Sequence, residues 1–314
     1  MRKTSWRIAQ AVFGAVILVF VVLTIRGQWN DVQQAREQPV QWDLHWEFII
    51  ASLVMTWAMY GVLIWGWRAV LIGWREWLRI VDAARIWTIS SLGAYIPGKV
   101  WSIAGMAMMA QQSGVSGAAA IGSAVIMQLI SIATGAAIAV ALVGTVLLDN
   151  LLAGWGSLLA IGVAGLALLG AVALTSPSLT GRIGFLLRRP DAIRPVEPNA
   201  LAGAVFANVV AWGGYGIALQ LLAIGTLHGL NLSWTTATGA FAASYIVGFL
   251  AILLPGGIGV REGVLIVLLA PTIGVHQATA LAVVSRVAMT VTQLGAALPF
   301  LLFRRKPRDL SIAT

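Results

Sequence analysis

The residues best able to do chemistry lie in one short stretch, Leu254-Pro255-Gly256-Gly257-Ile258-Gly259-Val260-Arg261-Glu262-Gly263. Pro255 and the glycines break a helix between two apolar runs, 241–253 and 264–270. An Arg-Glu pair follows at once. Broken backbone at membrane depth persists only where protein buries it or it lines a wet cavity. Ionisable groups there are costly and mark a site by default. Arg261 falls in the first turn of a half-helix, whose free N–H groups and positive dipole end favour an anion. Gly256, Gly257 and Gly259 leave that backbone open, and a guanidinium can fork two phosphate oxygens. Lys99, just after the similar break Pro97-Gly98, would be a second positive contact, with Glu262 and Arg286 as a gate or counter-ion pair. The plainer reading of Glu262–Arg286 is a structural ion pair, because intramembrane charges usually pair with one another. Tyr95, Trp101 and Tyr245 flank the breaks as interfacial anchors or packing residues, and Gln111, Gln112, Gln128 and Gln293 line a polar path or bridge helices.

The elements that must position these groups are set by composition. The chain has 314 residues, 59% hydrophobic and 10% charged, with a mean hydropathy of +0.89. A soluble domain carries about 25% charged residues. The expected fold class is all-α: a polytopic membrane protein with about six transmembrane helices plus two re-entrant helical hairpins in an inverted repeat. The expected spans are 8–25, 48–67, 118–148, 152–174, 200–227 and 277–303. Hairpins are expected at 86–110, whose apolar arms are too short to cross a core of about 30 Å, and at 234–270, around the second Pro-Gly break. An interfacial helix followed by a full span is the alternative for the first. Residues 175–199 read as a cytoplasmic loop. Trp65, Trp67, Trp74 and Trp77 read as an aromatic belt at the end of the second span.

With the N-terminus in the cytoplasm, 15 of the 20 basic residues fall on the cytoplasmic side and only Arg26 and Arg36 outside. This satisfies the positive-inside rule and predicts an inner-membrane protein with both termini cytoplasmic. It also explains the net charge of +9 without nucleic acid. There is no cysteine, and His45, His228 and His276 lie far apart in sequence, so no metal site is expected. No phosphate loop, dinucleotide fingerprint or partnered nucleophile is present, so neither a cofactor nor a catalytic constellation is expected.

The two Pro-Gly breaks lie 158 residues apart. Gly114-Val115 and Gly274-Val275 then lead long spans holding Gly135-Ala136-Ala137 and Gly295-Ala296-Ala297, offset by 160. An odd number of crossings separates the hairpins, so they enter from opposite faces, a layout common among secondary transporters.

Tyr95-Ile96-Pro97-Gly98-Lys99-Val100-Trp101-Ser102 and the 254–263 motif, in this order in a membrane chain, resemble the lysylphosphatidylglycerol synthase transmembrane-region family of flippase-like proteins. The resemblance covers about 8–303. It implies movement of an aminoacylated phosphatidylglycerol or polyprenyl-phosphate-linked lipid between leaflets, by a module without the soluble aminoacyltransferase domain. Many relatives carry a basic residue soon after the first Pro-Gly, where this chain reads Gly105-Met106-Ala107-Met108. The expected partner is a membrane lipid with an anionic headgroup, with a possible cytoplasmic transferase. The alternatives are a membrane subunit that docks a lipid-linked glycosyltransferase or aminoacyltransferase and, second, an enzyme modifying lipid headgroups with Glu262 as base.

Overall fold

The computed structural model describes residues 40–95, 100–143, 156–173, 175–186, 195–251 and 257–302. The expected span 8–25, and Pro97, Gly98, Lys99, Pro255 and Gly256, lie outside them. The described residues form α1 (Trp46–Gly73), α2 (Ile80–Ser91), α3 (Val100–Gln112), α4 (Gly117–Val143), α5 (Gly156–Ala173), α6 (Pro177–Leu186), α7 (Pro198–Thr226), α8 (Trp234–Leu250), α9 (Val260–Ile273) and α10 (Val275–Leu302). Among them α1, α4, α7 and α10 are long and apolar enough to cross a membrane. The chain is an all-α polytopic membrane protein. The stretch 175–199, expected as a loop, contains α6: Pro177 stands at its first position, where a fixed φ suits a helix and no N–H is missed.

The helices fall into two sets of four, α1–α4 and α7–α10, and their packing is reciprocal. α4 packs on α7 and α8, as α10 packs on α1 and α2. Within the sets, α2 packs on α3 as α8 does on α9, and α3 on α4 as α9 does on α10. The seam between the sets is α1 against α7, and it is antiparallel along its whole length. Asp43 N donates to Thr226 O, Ser52 Oγ donates to Ala218 O at 2.7 Å, Gly214 lies against Met59, Gly66 against Ala207 and Gly73 against Ala200. Equivalent helices running antiparallel are what an inverted repeat requires.

Small residues set this seam. Between membrane helices there is little hydrophobic driving force, so close van der Waals contact holds them together. A Cβ added at Gly66 would sit 2.7 Å from Ala207 Cβ, and one at Gly73 would sit 2.9 Å from Ala200 Cβ. Two cores flank the seam, one around Trp67, Leu71, Ile86 and Ile130 and one around Leu265, Leu268, Leu269 and Leu281, and each takes in residues of the other set, Ala200 and Ala204 in the first and Ala139 and Val143 in the second.

Trp67 and Trp74 belong to packing rather than to a belt. Trp67 is fully buried and its indole donates to Ser123 Oγ, while Trp74 is buried and donates to the Pro195 carbonyl. Trp65 and Trp77 remain exposed. Once its N–H finds a partner inside, an indole loses its reason to stay at an interface.

The paired helices α2–α3 and α8–α9 meet through glycine. A Cβ at Gly93 would lie 2.8 Å from Ser102 N, and one at Gly248 would lie 2.9 Å from Arg261 Cβ, so each marks where two arms touch. Gly257 has φ +66° and a Cβ there would come within 2.6 Å of Gly248 O, so no other residue fits. α2 and α3 have 12 and 13 residues, hence rise about 18–20 Å, less than a bilayer core of about 30 Å.

Gly66→Val is expected to lower stability by about 1–3 kcal/mol, the usual range for overpacking. Gly61→Ala, with nothing within 4 Å of the new methyl, is expected to be neutral or to stabilise by up to about 1 kcal/mol. Thermal unfolding in detergent measures both, and equal melting temperatures would contradict the seam as described.

Candidate functional site

The two sets enclose a cavity of about 490 Å³. Both contribute walls: Tyr60, Thr88, Ser90 and Gln128 from the first, and Tyr215, Tyr245, Arg261 and Arg286 from the second. Its size falls in the range of about 300–1,000 Å³ usual for ligand sites.

Arg261 is the most constrained charge here. It follows Gly259 (φ +83°), where the chain turns into α9, and its Cβ packs against Gly248 on α8. The side chain is only 6% exposed. Its guanidinium carbon lies 4.8 Å from the centroid of the Phe241 ring and 6.0 Å from that of Tyr245. Such cation–π contacts are worth about 2 kcal/mol when desolvated. They cover the faces of the guanidinium but accept none of its N–H bonds. Nη2 is buried and has no hydrogen-bond partner among the described residues.

Among the described residues Glu262 makes no ion pair or hydrogen bond with Arg261; its oxygens are engaged elsewhere. Oε2 accepts from Gly259 N at 2.7 Å, capping the first turn of α9, and Oε1 lies 3.4 Å from Arg286 Nη1 on α10. Glu262 therefore closes one orphan donor of its own helix and ties α9 to α10, as the structural reading of that pair anticipates. Gly257 is buried, whereas Gly259 is partly exposed.

Tyr245, read from sequence as an anchor or packing residue, lines the cavity beside Arg261. It belongs to an aromatic cluster in which Trp212 meets Tyr245 at 5.4 Å, and Tyr215 stacks on Phe241 at 5.3 Å with an interplanar angle of 26°.

The sequence carried a signal for this cluster that the Pro-Gly breaks overshadowed. Trp57-Ala58-Met59-Tyr60-Gly61 and Trp212-Gly213-Gly214-Tyr215-Gly216 share W-x-x-Y-G at an offset of 155. The structure gives the two copies matching roles. Trp212 donates to Thr134 Oγ1 and packs against Gly135, while Trp57 donates to the Thr292 carbonyl and packs against Gly295. Met59 and Gly214 are counterparts at this offset and touch each other, and so do Tyr60 and Tyr215, whose ring centroids are 6.4 Å apart. The pseudo-two-fold axis therefore passes through this point of the seam, at the edge of the cavity.

Two of the three histidines, distant in sequence, also meet. His228 Nδ1 and His45 Nε2 each lie 3.1 Å from Asp43 Oδ2, where the strap before α1 bridges to the end of α7. Hydrogen bonds from His228 and then His45 hold the Asp43 carboxyl below its ordinary range. The described residues contain no group of three or more His, Asp or Glu side chains placed to hold a metal.

Reciprocal packing, antiparallel equivalent helices and a shared polar cavity define a class: an integral membrane protein built as an inverted repeat about a central site. The family model for the lysylphosphatidylglycerol synthase TM region matches residues 7–297, and the chain belongs to that family. It is thereby a membrane protein linked to lipid modification or transport. No curated protein matches the chain.

Glu262→Ala removes both the cap and the partner of Arg286, whereas Glu262→Gln keeps an oxygen for Gly259 N–H. The expected order of melting temperature is wild type, then Gln, then Ala, with the cap alone worth about 0.5–2 kcal/mol. Gln and Ala variants melting alike would show that the cap contributes nothing.

Proposed function

We propose that the protein moves a lipid with an anionic, phosphate-bearing headgroup between the leaflets of the membrane. The observation that carries this reading is Arg261, a buried cation whose Nη2 has no hydrogen-bond partner among the described residues, facing a cavity shared by two inverted repeats. Holding such a cation without an acceptor is expensive, and a phosphate oxygen is the acceptor that suits a guanidinium. Inverted repeats meeting near the midplane support alternating access, in which one repeat rocks against the other around a fixed site. In this account the two short hairpins are re-entrant from opposite faces, and the excess of basic residues in 68–85 and 182–194 puts those segments in the cytoplasm. The inner membrane follows from the same bias. Aminoacylated phosphatidylglycerol and polyprenyl-phosphate-linked lipids both carry the required group.

The test is leaflet exchange of fluorescent phosphatidylglycerol in proteoliposomes that contain only this protein. Wild type is expected to exchange the lipid. Arg261→Ala, inserted and folded, is expected to lose at least about tenfold in rate, as befits a charge-assisted hydrogen bond. Equal exchange by the variant would remove Arg261 from the site.

A further inference from the structure

Arg261 Nη2 is not the only unsatisfied donor in the cavity. Gln128 Nε2, on α4 of the first repeat, is also buried without a hydrogen-bond partner among the described residues, and Gln128 lines the same cavity. We infer that Gln128 and Arg261, one from each repeat, form a two-donor seat for the oxygens of a singly charged phosphodiester. The inference deepens the proposed function and rests on it.

Three observations carry the assignment. First, a buried donor left unpaired costs about 1–3 kcal/mol, and native structures rarely keep two in one cavity without a reason. Because both atoms donate, one acceptor with two free oxygens satisfies both, and a phosphodiester has two non-bridging oxygens to offer. Second, the seat is asymmetric. In the register that pairs Val100 with Val260, the counterpart of Arg261 is Trp101, an apolar residue 55% exposed. α3 thus places no cation at that position, and the first repeat contributes a neutral amide from α4 instead. Third, the charges balance at one. Among the described residues Arg261 and Arg286 are the charged ones lining the cavity, and Glu262 lies 3.4 Å from Arg286. Counted over these described residues, one net positive charge remains. A phosphodiester carries one negative charge at neutral pH, whereas a phosphomonoester carries about 1.5 to 2. A ligand bridging α4 and α9 also ties the two repeats together, so its binding is felt by both.

The experiment titrates the full chain in detergent, read by fluorescence of the tryptophans around the cavity. The probes are dihexanoyl phosphatidylglycerol (a diester), dihexanoyl phosphatidic acid (a monoester) and the deacylated diester glycerophosphoglycerol. Wild type is expected to bind the diester lipid more tightly than the monoester lipid. Gln128→Met, of similar size, is expected to weaken diester binding about tenfold, and Gln128→Glu, which cancels the remaining charge, to abolish it. Melting curves check that both variants fold, and the isosteric Glu variant carries the test if the Met variant does not. Diester affinity within twofold of wild type in a folded Gln128 variant overturns the seat, and so does tighter binding of the monoester. If Arg261→Ala still loses binding in that case, the proposed function stands while this inference falls. If Arg261→Ala also binds normally, both fall. Glycerophosphoglycerol binding as tightly as the lipid, with the same loss in the Gln128 variants, supports the diester seat and contradicts a lipid as its cargo.

Discussion

The rest of the structure depends on how closely α1 can approach α7. Gly66, Gly73 and Gly214 bring two long helices together until their backbones and short side chains touch. In a membrane this contact is the driving force itself, since lipid tails compete for every larger apolar side chain. The seam is self-complementary: Met59 meets Gly214, and Tyr60 meets Tyr215, each residue facing its own counterpart. From that axis the remaining contacts follow in pairs, α4 on α8 and α10 on α2. The cavity is what the two sets leave between them.

Symmetry of the scaffold contrasts with asymmetry of the charge. Both repeats supply a tyrosine at the axis and a tryptophan wedged against a glycine. Among the described residues only the second lines the cavity with charge, through Arg261 and Arg286. Glu262 caps α9 and faces Arg286, so it offers Arg261 no hydrogen bond, although its charge still acts on the neighbouring guanidinium. Phe241 and Tyr245 then sheathe the guanidinium without accepting from it. A cation kept in this condition is ready to bind an anion, because the desolvation cost has been met during folding and not on encounter.

Much of this was legible in the sequence where the signal was steric or electrostatic. Gly257, Gly259 and Arg261 could be singled out because glycine and a buried charge are costly in an apolar run unless something requires them. The matched pair Gly135 and Gly295 was visible for the same reason, and both prove to receive a tryptophan. What the sequence hid was whatever depends on a partner far along the chain. Trp67 and Trp74 look like interfacial residues until Ser123 and the Pro195 carbonyl take their N–H groups. His228 looks isolated until the antiparallel seam brings it to Asp43, beside His45. Residues 175–199 look like a loop because proline reads as a breaker, whereas Pro177 starts a helix. The repeated W-x-x-Y-G was in plain view, but a motif of aromatics in a hydrophobic helix has no meaning until its two copies are seen to face each other.

The central claim is that the cavity beside Arg261 seats a phosphate-bearing headgroup. The most direct measurement is an experimental structure of the full chain with dihexanoyl phosphatidylglycerol. The account places a phosphate oxygen about 3 Å from Arg261 Nη2, between the two repeats. A headgroup bound elsewhere, with the guanidinium still sheathed by Phe241 and Tyr245 and nothing in the cavity, would contradict it.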